Sequence, residues 1–277
     1  MFKLFLAIIS IFLLLFSSFY QDNVLGHSFT IDDSTYFLTM IEKTKTELEL
    51  AKKNYPSNIT LSMDHSDNAA LLVDETFYVD DNVANDNEFT KRYNEEITNA
   101  NSTANALVVV SLVDEVLRSY ANSIDLNFDL TNMSKLLYVI PITTNLNDNS
   151  NKQNLDELEN SYFSDVFNNL ETNNINLKED KDKNSLFLSN QSITNYADYE
   201  TAKFLAMKIN TIFQLYLKVF IGLDKTKLND ITKLEDYFYE FYSMINNNSS
   251  PAEIMKKVHI DIQPTMQKIY NLKTNLP

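Results

Sequence analysis

The sequence predicts an all-α protein, a multi-helix up-and-down bundle carrying a low-complexity, asparagine-rich insertion. Three observations lead there. Apolar residues recur at three- and four-residue spacing along most of the chain, the period of one helix face. Capping residues and prolines bracket those runs, as helix starts and stops require. Only two glycines, Gly26 and Gly222, occur in 277 residues, which leaves no turn chemistry for the many tight hairpins of a β protein.

The chain opens with Met1-Phe2-Lys3 and an apolar run from Leu4 to Phe16 interrupted only by Ser10. That length suits a signal peptide and falls short of the ~20 residues that span a bilayer. Val24 and Gly26 supply small residues at −3 and −1, so residues 1–26 read as a leader cleaved before His27. If it stays uncleaved, the same segment is an N-terminal membrane anchor. Six Asn-x-Ser/Thr sites, beginning at Asn58, Asn101, Asn132, Asn190, Asn247 and Asn248, would be glycan acceptors outside the cytoplasm. With 35 asparagines in the chain, such sites also arise by chance.

Residues 27–142 form an N-terminal helical block. Its first helix starts near Asp32-Asp33, presents Phe37, Met40, Ile41, Thr44, Leu48, Ala51 and Tyr55 on one face, and stops at Pro56. A second begins near Ser57 or Asn58 with Leu61, His65, Asn68, Ala69 and Leu72 inward. Asp80 to Glu88 reads as an acidic loop before a short amphipathic piece with Phe89, Tyr93 and Ile97. The valine run in Ala104 to Ile124 would suit a strand. Its length and the spacing of Leu112, Val116 and Tyr120 favour a central helix.

Residues 143–193 are rich in Asn, Asp, Lys and Ser and read as a mobile insertion or linker, with little apolar surface to offset ordering entropy. Residues 194–277 form a C-terminal helical block that packs on the first. A helix from Asp198 carries Tyr199, Ala202, Ala206, Ile209, Phe213, Tyr216, Leu217 and Phe220, with Gly222 placed to cap it. Ile231, Leu234, Phe238, Phe241 and Ile245 mark the next helix. Ser250-Pro251-Ala252-Glu253 combines a capping box with proline at the first helical position. The last helix presents Met255, Val258, His259, Ile262, Met266 and Ile269, and Pro264 should kink it.

Composition removes whole classes of function. Scarce glycine excludes phosphate-cradling loops, dinucleotide fingerprints and nucleophile elbows. The absence of cysteine excludes disulfides, thiolate metal sites and thiol nucleophiles. A net charge of −15 and a pI near 4.6 give no footprint for nucleic acid. Neither Ser62 before His65 nor Lys256 before His259 is the glutamate that a di-iron bundle needs three residues ahead of its histidine. No nucleophile–base pair is legible, and the chain reads as non-enzymatic, with no required cofactor.

The three histidines, His27, His65 and His259, offer one sharper alternative. Cleavage before His27 would pair a free α-amine with an imidazole, a chelate that suits Cu(II), and Met255 and Met266 share the stripe of His259 as thioethers that suit Cu(I). The plainer reading makes His65 and His259 hydrogen-bonded core residues and the methionines core filler.

His27-Ser28-Phe29-Thr30, Ser34 to Leu38, Ile41-Glu42, Ala106-Leu107-Val108, Leu112 to Leu117, Asp198 to Ala202, Ser250-Pro251, Ile254-Met255 and Val258-His259 together resemble a group of exported helical proteins of ammonia-oxidising archaea that has no established activity. The resemblance covers most of the helical chain and skips the insertion. It implies an archaeal protein exported to the outside of the cytoplasmic membrane, where copper enzymes operate. Members tend to carry a second histidine four residues after the position of His259; here that residue is Gln263. Their metal-rich insertion is replaced by asparagine. The sequence thus points to an exported, non-enzymatic bundle that binds a protein partner or scaffolds at the cell surface, without nucleic acid, and touching membrane only through an uncleaved leader. The alternative is a copper-binding or copper-delivering protein using His27, His65 and His259.

Overall fold

The computed structural model describes residue 29 and residues 31–79, 102–131, 185–218 and 226–273. The leader 1–26, His27, the acidic loop after position 79, the piece with Phe89, Tyr93 and Ile97, residues 143–184, Phe220 and Gly222 lie outside these. The fold is all-α and multi-helical, as the periodicity predicts. Its elements are α1 (Asp33–Asn54), α2 (Ile59–Val79), α3 (Ser102–Ser123), α4 (Tyr196–Ile212), α5 (Leu228–Asn246), α6 (Pro251–Lys256) and α7 (Gln263–Tyr270). No helix among the described residues is long and apolar enough to cross a membrane.

α3 is the central element. Ala106, Val109, Leu112, Val113, Val116, Leu117 and Tyr120 are all fully buried. The valine run is helical because both sides of it face other helices. α1 and α4 pack on α3, α2 lies on α1, α5 on α4, and α7 reaches both α3 and α5. Residues from both predicted blocks share one apolar core, which runs from Phe29 to Leu272.

Each start has a visible cause. Asp32 accepts a hydrogen bond from the Thr35 amide at 2.7 Å, and this contact holds its carboxyl below the usual carboxylate range. α4 begins at Tyr196, two positions earlier than the sequence suggests, because Asn195 caps the Asp198 amide at 3.2 Å. The Ser250–Glu253 capping box is complete in both directions, with Pro251 leading α6.

The kink expected at Pro264 takes a particular form. Proline has no N–H for the carbonyl four residues back and crowds it. The chain widens to π-helix over Lys257–Ile262, where the Gln263 amide bonds the Val258 carbonyl, before α7 resumes. A second π turn, Phe213–Leu217, extends α4. Phe213 and Leu217 stay fully buried across it, whereas Tyr216 is exposed.

The face of α1 is also rotated from its predicted stripe. Leu48 and Tyr55 point to solvent, and Glu47, Leu50 and Asn54 take inward places. The end of the asparagine-rich segment, 185–193, is packed: Leu186 is fully buried, and Asn190 donates its amide to the Asn248 carbonyl at 2.8 Å. Asn190, Asn248 and Asn271 adopt left-handed φ of 56°, 53° and 52°. In a glycine-poor chain asparagine serves where glycine usually would.

If 185–193 is part of the folded body, Leu186→Ala should lower unfolding free energy by about 2–5 kcal/mol. Urea denaturation followed by far-UV circular dichroism measures it; a loop residue would move it by less than about 0.5 kcal/mol.

Candidate functional site

The polar interior gathers around the two described histidines, and each belongs to a separate network. His65, on the inward face of α2, is completely buried. Its Nδ1 lies 2.7 Å from Glu47 Oε2 on α1, and its Nε2 lies 3.4 Å from Glu200 Oε2 on α4. Glu47 also accepts from Thr201 Oγ1 at 2.7 Å and from Asn68 Nδ2 at 3.5 Å. Glu200 accepts from Asn54 Nδ2 at 2.6 Å and Lys53 Nζ at 3.1 Å. Four further side chains from three helices therefore converge on one imidazole and two carboxylates.

Carboxylates only accept, so an imidazolium with both nitrogens protonated satisfies both sides of the ring. Burial disfavours that charge, but Glu47 and then Glu200 outweigh it, and the His65 pKa is raised above the ordinary histidine value. Burial likewise opposes the Glu200 carboxylate; Asn54, Lys53 and His65 together bring it below its usual range. Glu200 reaches the surface, where Lys53, Lys203, Phe204, Met207 and Tyr242 join it around an open cleft of about 330 Å³. The Lys203 ammonium sits 5.2 Å above the Tyr199 ring.

His259, in the π segment before α7, is 3% exposed. Its Nε2 lies 3.0 Å from the Leu130 carbonyl, which accepts from the ring. Nδ1 lies 2.9 Å from Gln263 Oε1, and Gln263 Nε2 donates to Asp114 Oδ1 at 3.2 Å. Burial is the main force on the Asp114 carboxyl. With Glu115 and Asp129 adding to it against Arg118, its pKa is pushed up to about 7. The residue standing where the resembling group has a histidine thus links the ring to the half-buried Asp114.

Among the described residues, the hydrogen-bond partners of His65 (Glu47 and Glu200) are distinct from Leu130 and Gln263, which face His259. Glu47 and Glu200 approach opposite ends of the His65 imidazole rather than a common point. Among the described residues no group of three or more His, Asp or Glu side chains is disposed to hold a metal ion. Met255 and Met266 are fully buried within the apolar core. His27 lies outside the described residues. Sequence reasoning missed Glu47, Asn54, Glu200, Thr201 and Asp114. Glu47 lies in phase with Met40, Thr44 and Ala51 on α1, and that phase is the signal that could have found it.

These networks set the pH response of stability. A raised His65 pKa gives stability that is complete below the unfolded value of ~6.5 and lost as pH rises through the folded one. Asp114 acts in the same direction, binding its proton up to about 7 when folded and only to 3.8 when unfolded. The depressed Glu200 contributes above ~4.3 and fails as pH falls through its folded value. The urea midpoint should therefore peak between about pH 4 and 6 and decline toward pH 8. Asp114→Asn should flatten the decline below about pH 7, and His65→Gln should remove the part above ~6.5 while lowering the peak. A midpoint that rises steadily from pH 5 to 8 contradicts both assignments. Comparison with known protein families, curated proteins and solved structures returns no match for the chain, and its own geometry carries any functional reading.

Proposed function

We propose that the chain is an exported, non-enzymatic helical protein that works outside the cytoplasmic membrane by binding a protein partner. The apolar run from Leu4 to Phe16 supports the export part. The observation that supports the binding part is the outer side of α2. There Ile59, Met63 and Val73 are 57%, 60% and 37% exposed along one side, on a helix whose neighbouring side is buried against α1. Large apolar side chains held in one exposed row on a rigid helix are what a partner surface offers. The two buried histidine networks serve this reading as rigid support, because they fix α2 and α7 without leaving a ring nitrogen at a cleft.

A photo-crosslinking residue placed at Met63 should give one discrete protein adduct in the producing cell's extracytoplasmic fraction. The same residue at Tyr239, exposed on α5, should give none. Intact mass of the exported chain should show cleavage before His27. Retention of the full chain in the cytoplasm, or equal adducts at both positions, would overturn the reading.

One contact favours copper as a second reading. Glu47 fixes Nδ1 of His65, and the 3.4 Å gap from Nε2 to Glu200 is long for a hydrogen bond. With the proton removed, Nε2 and Glu200 would be the third and fourth ligands after the amine and ring of a mature His27. Stoichiometric Cu(II) with nitrogen hyperfine structure in its paramagnetic resonance spectrum, lost in both His65→Gln and Glu200→Gln, is expected on that reading. A spectrum unchanged in either variant removes it.

A further inference from the structure

The chemistry of α2's outer side says more about its occupant, if the binding reading holds. At 100° per residue, Ile59, Met63, Ala70 and Val73 share one side of the helix. The row borders the buried stripe of Ser62, His65, Ala69 and Thr76. Asp64, Asp67 and Asp74, all exposed, lie along its other side. No ion pair among the described residues neutralises these three. The helix contains no lysine or arginine at all.

We infer that this face docks a basic, amphipathic helical segment of another protein, apolar along one side and bordered by lysine or arginine. Each alternative occupant meets a specific obstacle. A second copy would set the aspartates against their own equivalents, in a chain of net charge −15. An anionic membrane surface repels the same carboxylates. A neutral apolar peptide would desolvate carboxylates without pairing them, which costs several kcal/mol per buried ion. A basic amphipathic helix covers the apolar row and supplies the missing cations together. From Ile59 to Val73 the row spans about 21 Å, so about four turns of a partner helix cover it.

The test uses the full chain and a fluorescent eighteen-residue helical peptide with one leucine face and one lysine face, read by anisotropy. Micromolar binding is expected, falling about tenfold between 50 and 300 mM salt as exposed charge pairs are screened. Ile59→Ser with Met63→Ser alters no charge and should weaken binding at least about tenfold. Asp64→Asn, Asp67→Asn and Asp74→Asn together should weaken it by a similar factor. The same charge change at the exposed Asp33, Glu49 and Asp236 should leave it within about twofold. The proposal is overturned if the serine pair binds like the parent, if the two neutralised triples behave alike, or if a leucine–glutamate peptide or anionic vesicles bind as well as the lysine peptide. Loss of every peptide arm while the Met63 adduct persists would discard the basic partner and leave the binding reading intact.

Discussion

The burial of α3 is the constraint on which the rest of the molecule depends. A helix with apolar residues on nearly all sides cannot be stable beside water, and it must be enclosed. α1, α4 and α7 enclose it, and α2 and α5 form a second shell against α1 and α4. Polar anchors set the register at its C-terminal end. The Ser123 carbonyl accepts the amides of Thr194 and Asn195 at 2.8 and 3.1 Å, fixing where α4 begins. The Tyr120 hydroxyl lies 2.6 Å from both Asn248 Oδ1 and the Ser249 carbonyl, and its proton is held well above the usual tyrosine range, chiefly by burial.

Apolar burial alone would let α1 and α4 slide or rotate, since one aliphatic contact is much like another. Charged groups restrict that freedom. Lys43 pairs with Glu115 at 2.7 Å between α1 and α3. Lys208 reaches Glu42 at 3.0 Å between α4 and α1. The His65 network adds α2 to the same pair. A buried charge cluster is weak as a source of net stability and strong as a device for selecting one arrangement, because any other arrangement strands an ion. The rotation of α1 follows: Glu47 and Asn54 turn inward to meet α2 and α4, and Leu48 and Tyr55 are left in solvent.

Helix existence was legible in the sequence to a degree that the site was not. The spacing of Ile231, Leu234, Phe238, Phe241 and Ile245 names the buried face of α5 residue by residue, because apolar periodicity and burial are the same physical fact. The Ser250–Glu253 cap was equally plain. Carboxylates carry no such periodic signal. On a helix they are solvent-facing by default, so Glu47 and Glu200 looked like surface charges until the fold supplied His65 between them. Phase within α1 hinted at Glu47; the pairing with Glu200 spans 135 residues from His65 and has no local trace. The left-handed asparagines were hidden by abundance, since three structural positions cannot be picked from 35 candidates by composition.

The place of α3 in the chain has a consequence for biogenesis. Two of the helices that enclose it, α4 and α7, begin at Tyr196 and Gln263, well after α3 has left the ribosome. A core assembled from such distant segments closes slowly and late, because loop-closure entropy must be met before the contacts that reward it. The nascent N-terminal half is therefore an incomplete core, without α4 and α7 to enclose α3. The native state becomes reachable only once the last helix has emerged.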